Sequence, residues 1–207
     1  MTRVVTVARE YGSGGGSIAG MLAEKLGWKL LDRDLISRLA ARVHCSPDDV
    51  TRYDEHPPSF LSRLMRAYWA GGVDSWASGP ITDIVDADSL AATTASVIHE
   101  AAQLGDCVIV GRGAQCVLGD RPDAFHVFVY ARKEERLRRL RHRHEVGHAA
   151  EAAMAEIDRV RASYIRRYYG EAWDKRSLYH LMMNSALGDA RVVETILNAA
   201  GLPDQSS

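Results

Sequence analysis

The chain has 207 residues, 46% hydrophobic and 26% charged, with a formal net charge of −1, proportions that suit a globular chain able to bury a full core. The near-neutral balance excludes a global basic field of the kind that draws nucleic acid or an acidic membrane surface. No apolar run approaches the ~20 residues of a membrane-spanning helix. Residues 1–8 lack the organisation of a secretory signal, because charge returns at Arg9 and Glu10, and the cytoplasm is the expected location.

Residues 3–8 predict a strand, with Val4, Val5, Thr6 and Val7 β-branched in succession. A continuous apolar run without alternation predicts burial on both faces, as in a parallel sheet. A glycine-rich stretch at 12–17 follows, and then Ile18, Leu22 and Leu26 repeat at helical spacing up to Gly27, a helix C-cap candidate. Residues 28–31 predict a short second strand, and Asp32 is placed to cap a helix carrying Leu35, Ile36 and Leu39. Ser46-Pro47 opens another helix, and 60–70 read as helical after the break at His56-Pro57-Pro58. Residues 71–87 read as a connection. A helix is predicted over 89–104, strands over 107–110 and 124–131, helices over 133–145 and 151–169, a strand over 178–184 and a closing helix over 190–200; the last six residues are expected to fray. Strands alternating with helices define an α/β class with a mainly parallel sheet. The segment 45–90 fits a helical insert beside the site, and the helix at 60–70 offers a candidate dimer surface or a part of the core.

A glycine loop between a buried strand and a helix suits phosphate binding. Glycine admits positive φ and close backbone approach, loop N–H groups form an anion nest, and the helix start adds unpaired donors. The pattern G-x-x-x-x-G-K-[ST] is matched in part. With Ser17 on the metal-binding hydroxyl, Gly15 takes the second glycine, Gly16 falls on the lysine and Glu10 on the first glycine. Gly12, Ser13, Gly14, Gly15, Gly16 and Ser17 are therefore the candidate phosphate-holding residues, with the cation that stabilises transferring charge absent. A flexible turn before a helix is the alternative.

A second signal is basic. Arg132, Lys133, Arg136, Arg138, Arg139, Arg141 and Arg143 crowd together, with Leu137 and Leu140 as a narrow apolar stripe. Beside a phosphate loop, such a segment reads as an arginine lid that clamps phosphates and excludes water. A solvated helix face is the alternative, and the scarcity of aromatics in the segment counts against single-stranded nucleic acid. The cysteines, Cys45, Cys107 and Cys116, are odd in number and lack metal spacing, so free thiols are expected. The histidines show no metal spacing either.

The opening AREYGSGGGSIAGMLAEKLGWKLLDRDLI resembles the opening of cytidylate kinase-like proteins, a branch of the nucleoside monophosphate kinases. VIVGRGAQCVL, FHVFVYA and IDRVRASYIRRYYGEAWDKRSLYHLMMNSALG are similar to later blocks of that family, in the same order. The resemblance implies a P-loop kinase-like three-layer α/β fold in one domain over 1–207, with a helical acceptor-side insert at 45–90 and an arginine-rich lid at 132–165. It implies ATP with magnesium as donor and a nucleoside monophosphate, CMP leading, as acceptor. It places Gly12, Gly14, Gly15 and Ser17 on the donor phosphates, with Ser17 at the metal, and Asp32 and Arg33 on the acceptor side. Arg112, just past a strand end, is similar to an arginine that reaches the acceptor phosphate. Asp158, Arg159 and Arg161 are similar to the charged cluster following the lid. Arg139, Arg136 and Arg9 are the candidates for the charge that Gly16 lacks. The aromatics Tyr164, Tyr168, Tyr169, Trp173 and Tyr179 are assigned to packing rather than base stacking. Two other functions stay open: a nucleotide-binding regulatory module without turnover, and a kinase of a non-nucleotide metabolite.

Overall fold

In the computed structural model the described residues are 1–32, 87–142 and 148–203. The expectations for Arg33, for the helices near 46 and 60–70 and for the insert lie outside them. Strand β1 (Val4–Arg9) leads through helix α1 (Gly15–Leu26) to the two-residue β2 (Lys29–Leu30). Helix α2 (Ala87–Leu104), β3 (Cys107–Val110), a short helix α3 (Ala114–Val117) and β4 (Ala124–Tyr130) follow. The chain closes with α4 (Lys133–His142), α5 (His148–Tyr169), β5 (Leu181–Asn184) and α6 (Asp189–Ala200).

The five strands form one sheet in the order β2-β3-β1-β4-β5, with every pairing parallel. Val7 lies in register with Val110 on one side and Val127 on the other, so β1 is central and fully buried, as its unbroken β-branched run requires. Val5 and Val7 pack with Ile18, Leu22, Val193 and Ile196 of α1 and α6. Val4 and Ile109 pack on the other face with Val97 and Ile98 of α2. Helices therefore cover both faces, giving the expected three layers.

The connection leaving β1 runs toward β2 and the one leaving β3 runs back across β1 toward β4. Adjacent strands whose connections diverge leave a crevice at their carboxyl ends, which is where open α/β sheets hold ligands. None of the described helices is long and apolar enough to cross a membrane.

Several boundaries differ from expectation by one to three residues. α1 starts at Gly15, three residues early, because the glycines wind straight into its first turn. α3 was not foreseen; it is a single turn launched by left-handed Gly113. β5 starts at Leu181 and not at 178, because Arg176–Leu178 form a 3-10 turn and the Tyr179 hydroxyl donates to the Trp173 carbonyl at 2.6 Å.

Candidate active site

The phosphate loop begins as an extension of the sheet, with the Glu10 N–H donating to the Val129 carbonyl at 3.0 Å. The Tyr11 N–H then leaves the sheet for Asp158 Oδ1 at 2.8 Å, and both the N–H and the hydroxyl of Ser13 turn back to the Glu10 carbonyl. Gly12 and Gly14 sit at φ 77° and 82°, a left-handed region that side chains rarely adopt. α1 has no side-chain cap and no acidic residue in its first turn. Its first N–H groups have no helical acceptor, so the loop and helix end together make an arrangement that suits an anion. Ser17 is exposed in that first turn, where a hydroxyl can reach a phosphate-bound ion.

Arg136 of α4 fastens the loop from beneath. Its side chain is almost wholly buried, and its Nε donates to the Tyr11 carbonyl at 2.6 Å. Its other nitrogens pair with Asp158 and, at 3.3 Å, with Glu10 Oε2. Glu10 Oε2 also accepts the Ala131 N–H at 3.1 Å. Burial raises the Glu10 carboxyl above its ordinary range, with the Ala131 N–H and Arg136 pulling the other way. Arg161 of α5 completes the fastening by donating to the Arg9 carbonyl at 3.0 Å and lying 3.5 Å from Asp158 Oδ1.

Arg139 lies one turn along α4. Its Nη1 is 2.8 Å from Asp189 Oδ1, its Nη2 donates to the Ser185 carbonyl at 3.0 Å, and its Nε is 3.4 Å from Glu135. The guanidinium rests on Gly14 so closely that a Cβ there would stand 2.1 Å from Nη1. The Ser185 hydroxyl donates to the Ser13 carbonyl at 2.6 Å, tying the end of β5 to the same loop.

The cleft at the strand ends is lined by Arg9, Asp32, Arg112, Gln115, Arg161, Tyr164 and Trp173 among others. Arg9 threads past two glycines: a Cβ on Gly15 would lie 2.5 Å from the Arg9 Cβ, and one on Gly111 2.1 Å from its Nη1. Gly111, Arg112 and Gly113 take φ of 71°, 61° and 74° in succession. Arg112 is thus held in a conformation that costs an L-residue about 1–2 kcal/mol, the sort of local strain that collects at functional sites.

The structure brings Arg9, Asp32, Arg112 and Arg161 of the predicted site together in this cleft. It places Asp158 and Arg136 against the loop backbone instead. Arg159 stands apart, largely exposed and paired with Glu156 at 2.6 Å. Tyr164 and Trp173, assigned to packing from the sequence, also line the cleft. Asp189, Ser185 and Gln115 were not foreseen. Arg139 and Asp189 lie fifty positions apart, on two helices whose meeting no local pattern announces. Gln115 is 2% exposed, and its amide nitrogen makes no hydrogen bond of ordinary geometry beside a Tyr179 hydroxyl already committed to Trp173. Among the cysteines, Cys107 and Cys116 are free thiols that burial pushes up to about 11, which removes them as thiolate nucleophiles.

A five-stranded parallel sheet, helices on both faces and a glycine loop between the first strand and helix define a P-loop kinase fold. The chain belongs to the cytidylate kinase-like family, which it matches over residues 4–187. It is 49% identical over 41 residues to a cytidylate kinase of Pseudomonas putida, covering 20% of this chain and 18% of that protein. It is 52% identical over 44 residues to one of Pseudomonas syringae pv. tomato, covering 20% of this chain and 19% of that protein. The chain thus spans less than a fifth of the length of these curated relatives. A solved structure of an uncharacterized protein from Eubacterium ventriosum superposes with a TM-score of 0.68 at 20% identity, covering 97% of this chain and 99% of that one. A shikimate kinase from Bacteroides thetaiotaomicron gives 0.54 at 15% identity over the same shares. At such identities the likeness speaks for the fold.

Proposed function

We propose that the chain transfers a phosphoryl group from ATP, with magnesium, to a nucleoside monophosphate, and that CMP is the first acceptor to test. One observation carries this reading: three arginines, a carboxylate and two aromatic walls share a cleft beside the phosphate loop. The Pseudomonas relatives are cytidylate kinases, and their local identity supports the same acceptor.

The loop and the start of α1 would hold the donor phosphates through backbone N–H groups. Among the described residues no cluster of three metal-ligating side chains exists, which fits an ion held mainly by phosphate oxygens with Ser17 adding one hydroxyl. Magnesium, when bound there, neutralises charge on the phosphates. Arg9, Arg112 and Arg161 would hold and orient the acceptor phosphate, whose oxygen is already ionised and needs no strong base. Tyr164 and Trp173 would flank the base, with Asp32 and Gln115 offering an acceptor and a donor to its edge or to the ribose. Arg136 is a positioning residue, since its groups fix the loop. The lid at 132–165 and cytoplasmic placement belong to the same reading.

A second reading rests on Asp32, 5% exposed within the cleft. A hydroxyl acceptor needs a proton acceptor at that point, and a carboxylate there suits a kinase of a small anionic metabolite. ADP release with ATP, magnesium and, in turn, each nucleoside monophosphate and a set of hydroxy acids and sugar acids separates the readings. Release that depends on a monophosphate and is fastest with CMP supports the first. Release seen only with hydroxy acids or sugar acids supports the second. A folded protein that binds ATP and turns over none of them is the regulatory module that Gly16 suggests.

A further inference from the structure

We propose that Arg139 supplies the cation absent at Gly16, and that Asp189 holds it over the phosphate loop until a donor phosphate takes the carboxylate's place. The inference rests on the phosphate-binding reading of the loop. Arg136 is committed to the Tyr11 carbonyl, Glu10 and Asp158, and Arg9 runs between Gly15 and Gly111 into the acceptor cleft. Arg139 alone of the three lies against Gly14, the residue preceding the first turn of α1.

The electrostatics of that position call for an anion. A guanidinium at a helix start faces the positive end of the helix dipole, the unfavourable sign unless a negative group stands between them. Here Asp189 supplies it, 2.8 Å from Nη1. Asp189 is also the first residue of α6, so its carboxylate keeps a favourable helix terminus when Arg139 turns away. The two side chains are 22% and 26% exposed, open enough for a phosphate to exchange with the carboxylate. Ser185 sets the distance, because its carbonyl accepts from Arg139 while its hydroxyl holds the Ser13 carbonyl. The planar fork of arginine suits two phosphate oxygens at once, as a lysine would not.

The test moves the charge. Arg139→Ala should lower kcat by roughly 10²-fold, the loss typical of one donor aimed at developing charge, and weaken ATP binding measured by calorimetry about tenfold. Adding Gly16→Lys to that variant should return at least a tenth of both. Asp189→Asn should tighten ATP binding and lower its KM roughly two- to fivefold at low salt, the scale of a partly exposed ion pair, and the gain should fade in high salt. Melting curves show that each variant is folded, and Asp189→Glu, which keeps the charge, should behave as the parent. Unchanged turnover and binding in Arg139→Ala, no recovery with Gly16→Lys in a folded protein, or no tightening in Asp189→Asn overturns the inference. If the chain turns over no acceptor, the ATP-binding arm still decides it. If acceptor turnover is normal but indifferent to Arg139, the inference fails and the kinase reading stands.

Discussion

Replacing Arg136 with methionine removes one guanidinium and keeps most of its buried volume. The loop then loses the 2.6 Å hydrogen bond to the Tyr11 carbonyl, and Glu10 and Asp158 lose a shared cation. Asp158 keeps the Tyr11 N–H and Arg161, so Glu10 is the less compensated of the two. Breaking a fully buried pair costs 3–5 kcal/mol, and the partial exposure of both carboxylates reduces this to about 2–4 kcal/mol. At this chain length each kcal/mol moves Tm by 2–4 °C, so a drop of roughly 5–15 °C is expected. The loss also depends on pH. Burial already raises the Glu10 carboxyl, so its folded form favours the proton and that contribution disappears as pH climbs through the folded value. Without Arg136 the carboxyl rises further, and the variant should lose less at pH 5, nearer the range where Glu10 gains its proton, than at pH 8. Urea unfolding of both proteins at the two pH values measures this. A loss under 1 kcal/mol, or one larger at pH 5, would refute the assignment of Arg136 as the fastening of the loop.

Asp32→Asn discriminates the two acceptor classes: with a nucleoside monophosphate it should raise the acceptor KM and leave kcat within about tenfold, whereas a hydroxyl acceptor should lose 10²-fold or more of kcat. Arg112→Ala should raise the acceptor KM by roughly tenfold or more while the ATP KM stays put, read from initial rates with each substrate varied. His126 is buried, bonded through Nδ1 to the Thr6 hydroxyl at 2.8 Å, and burial lowers it from 6.5 to about 4. The unfolded chain therefore binds the extra proton first, and stability should fall by about 2–3 kcal/mol between pH 7 and pH 4 on this group's account. Relative to wild type, His126→Gln should flatten the pH slope of unfolding free energy; an unchanged slope would remove His126 as its source.

Much of the fold was legible because its strands are short apolar runs with clear ends. Cys107–Val110 matched its predicted bounds, and Val4–Arg9 shifted by one residue. The strand, glycine loop and helix of the candidate phosphate site were legible for the same reason, since they follow one another directly. The basic helix was legible only in part. Its expected apolar stripe is real at Leu140, which is wholly buried, but Arg136 turns inward as well. Composition cannot show that, because the groups drawing it in, Tyr11 and Asp158, come from elsewhere in the chain. The Ser185–Ser13 bond joins residues 172 positions apart. Such pairs are set by sheet order, and the sequence pattern predicted a parallel sheet without fixing its order. Tyr164 and Trp173 show the complementary difficulty, since an aromatic that packs a helix and one that walls a cleft carry the same sequence signal.

Phosphorus NMR of a mixture of the protein, ATP, magnesium and CMP tests the central claim most directly. The account predicts that ATP signals decay while a new diphosphate pair, distinct from ADP, grows in equal amount and only when CMP is present. ADP accumulating without that second diphosphate, or no change with a folded protein that binds ATP, would contradict it.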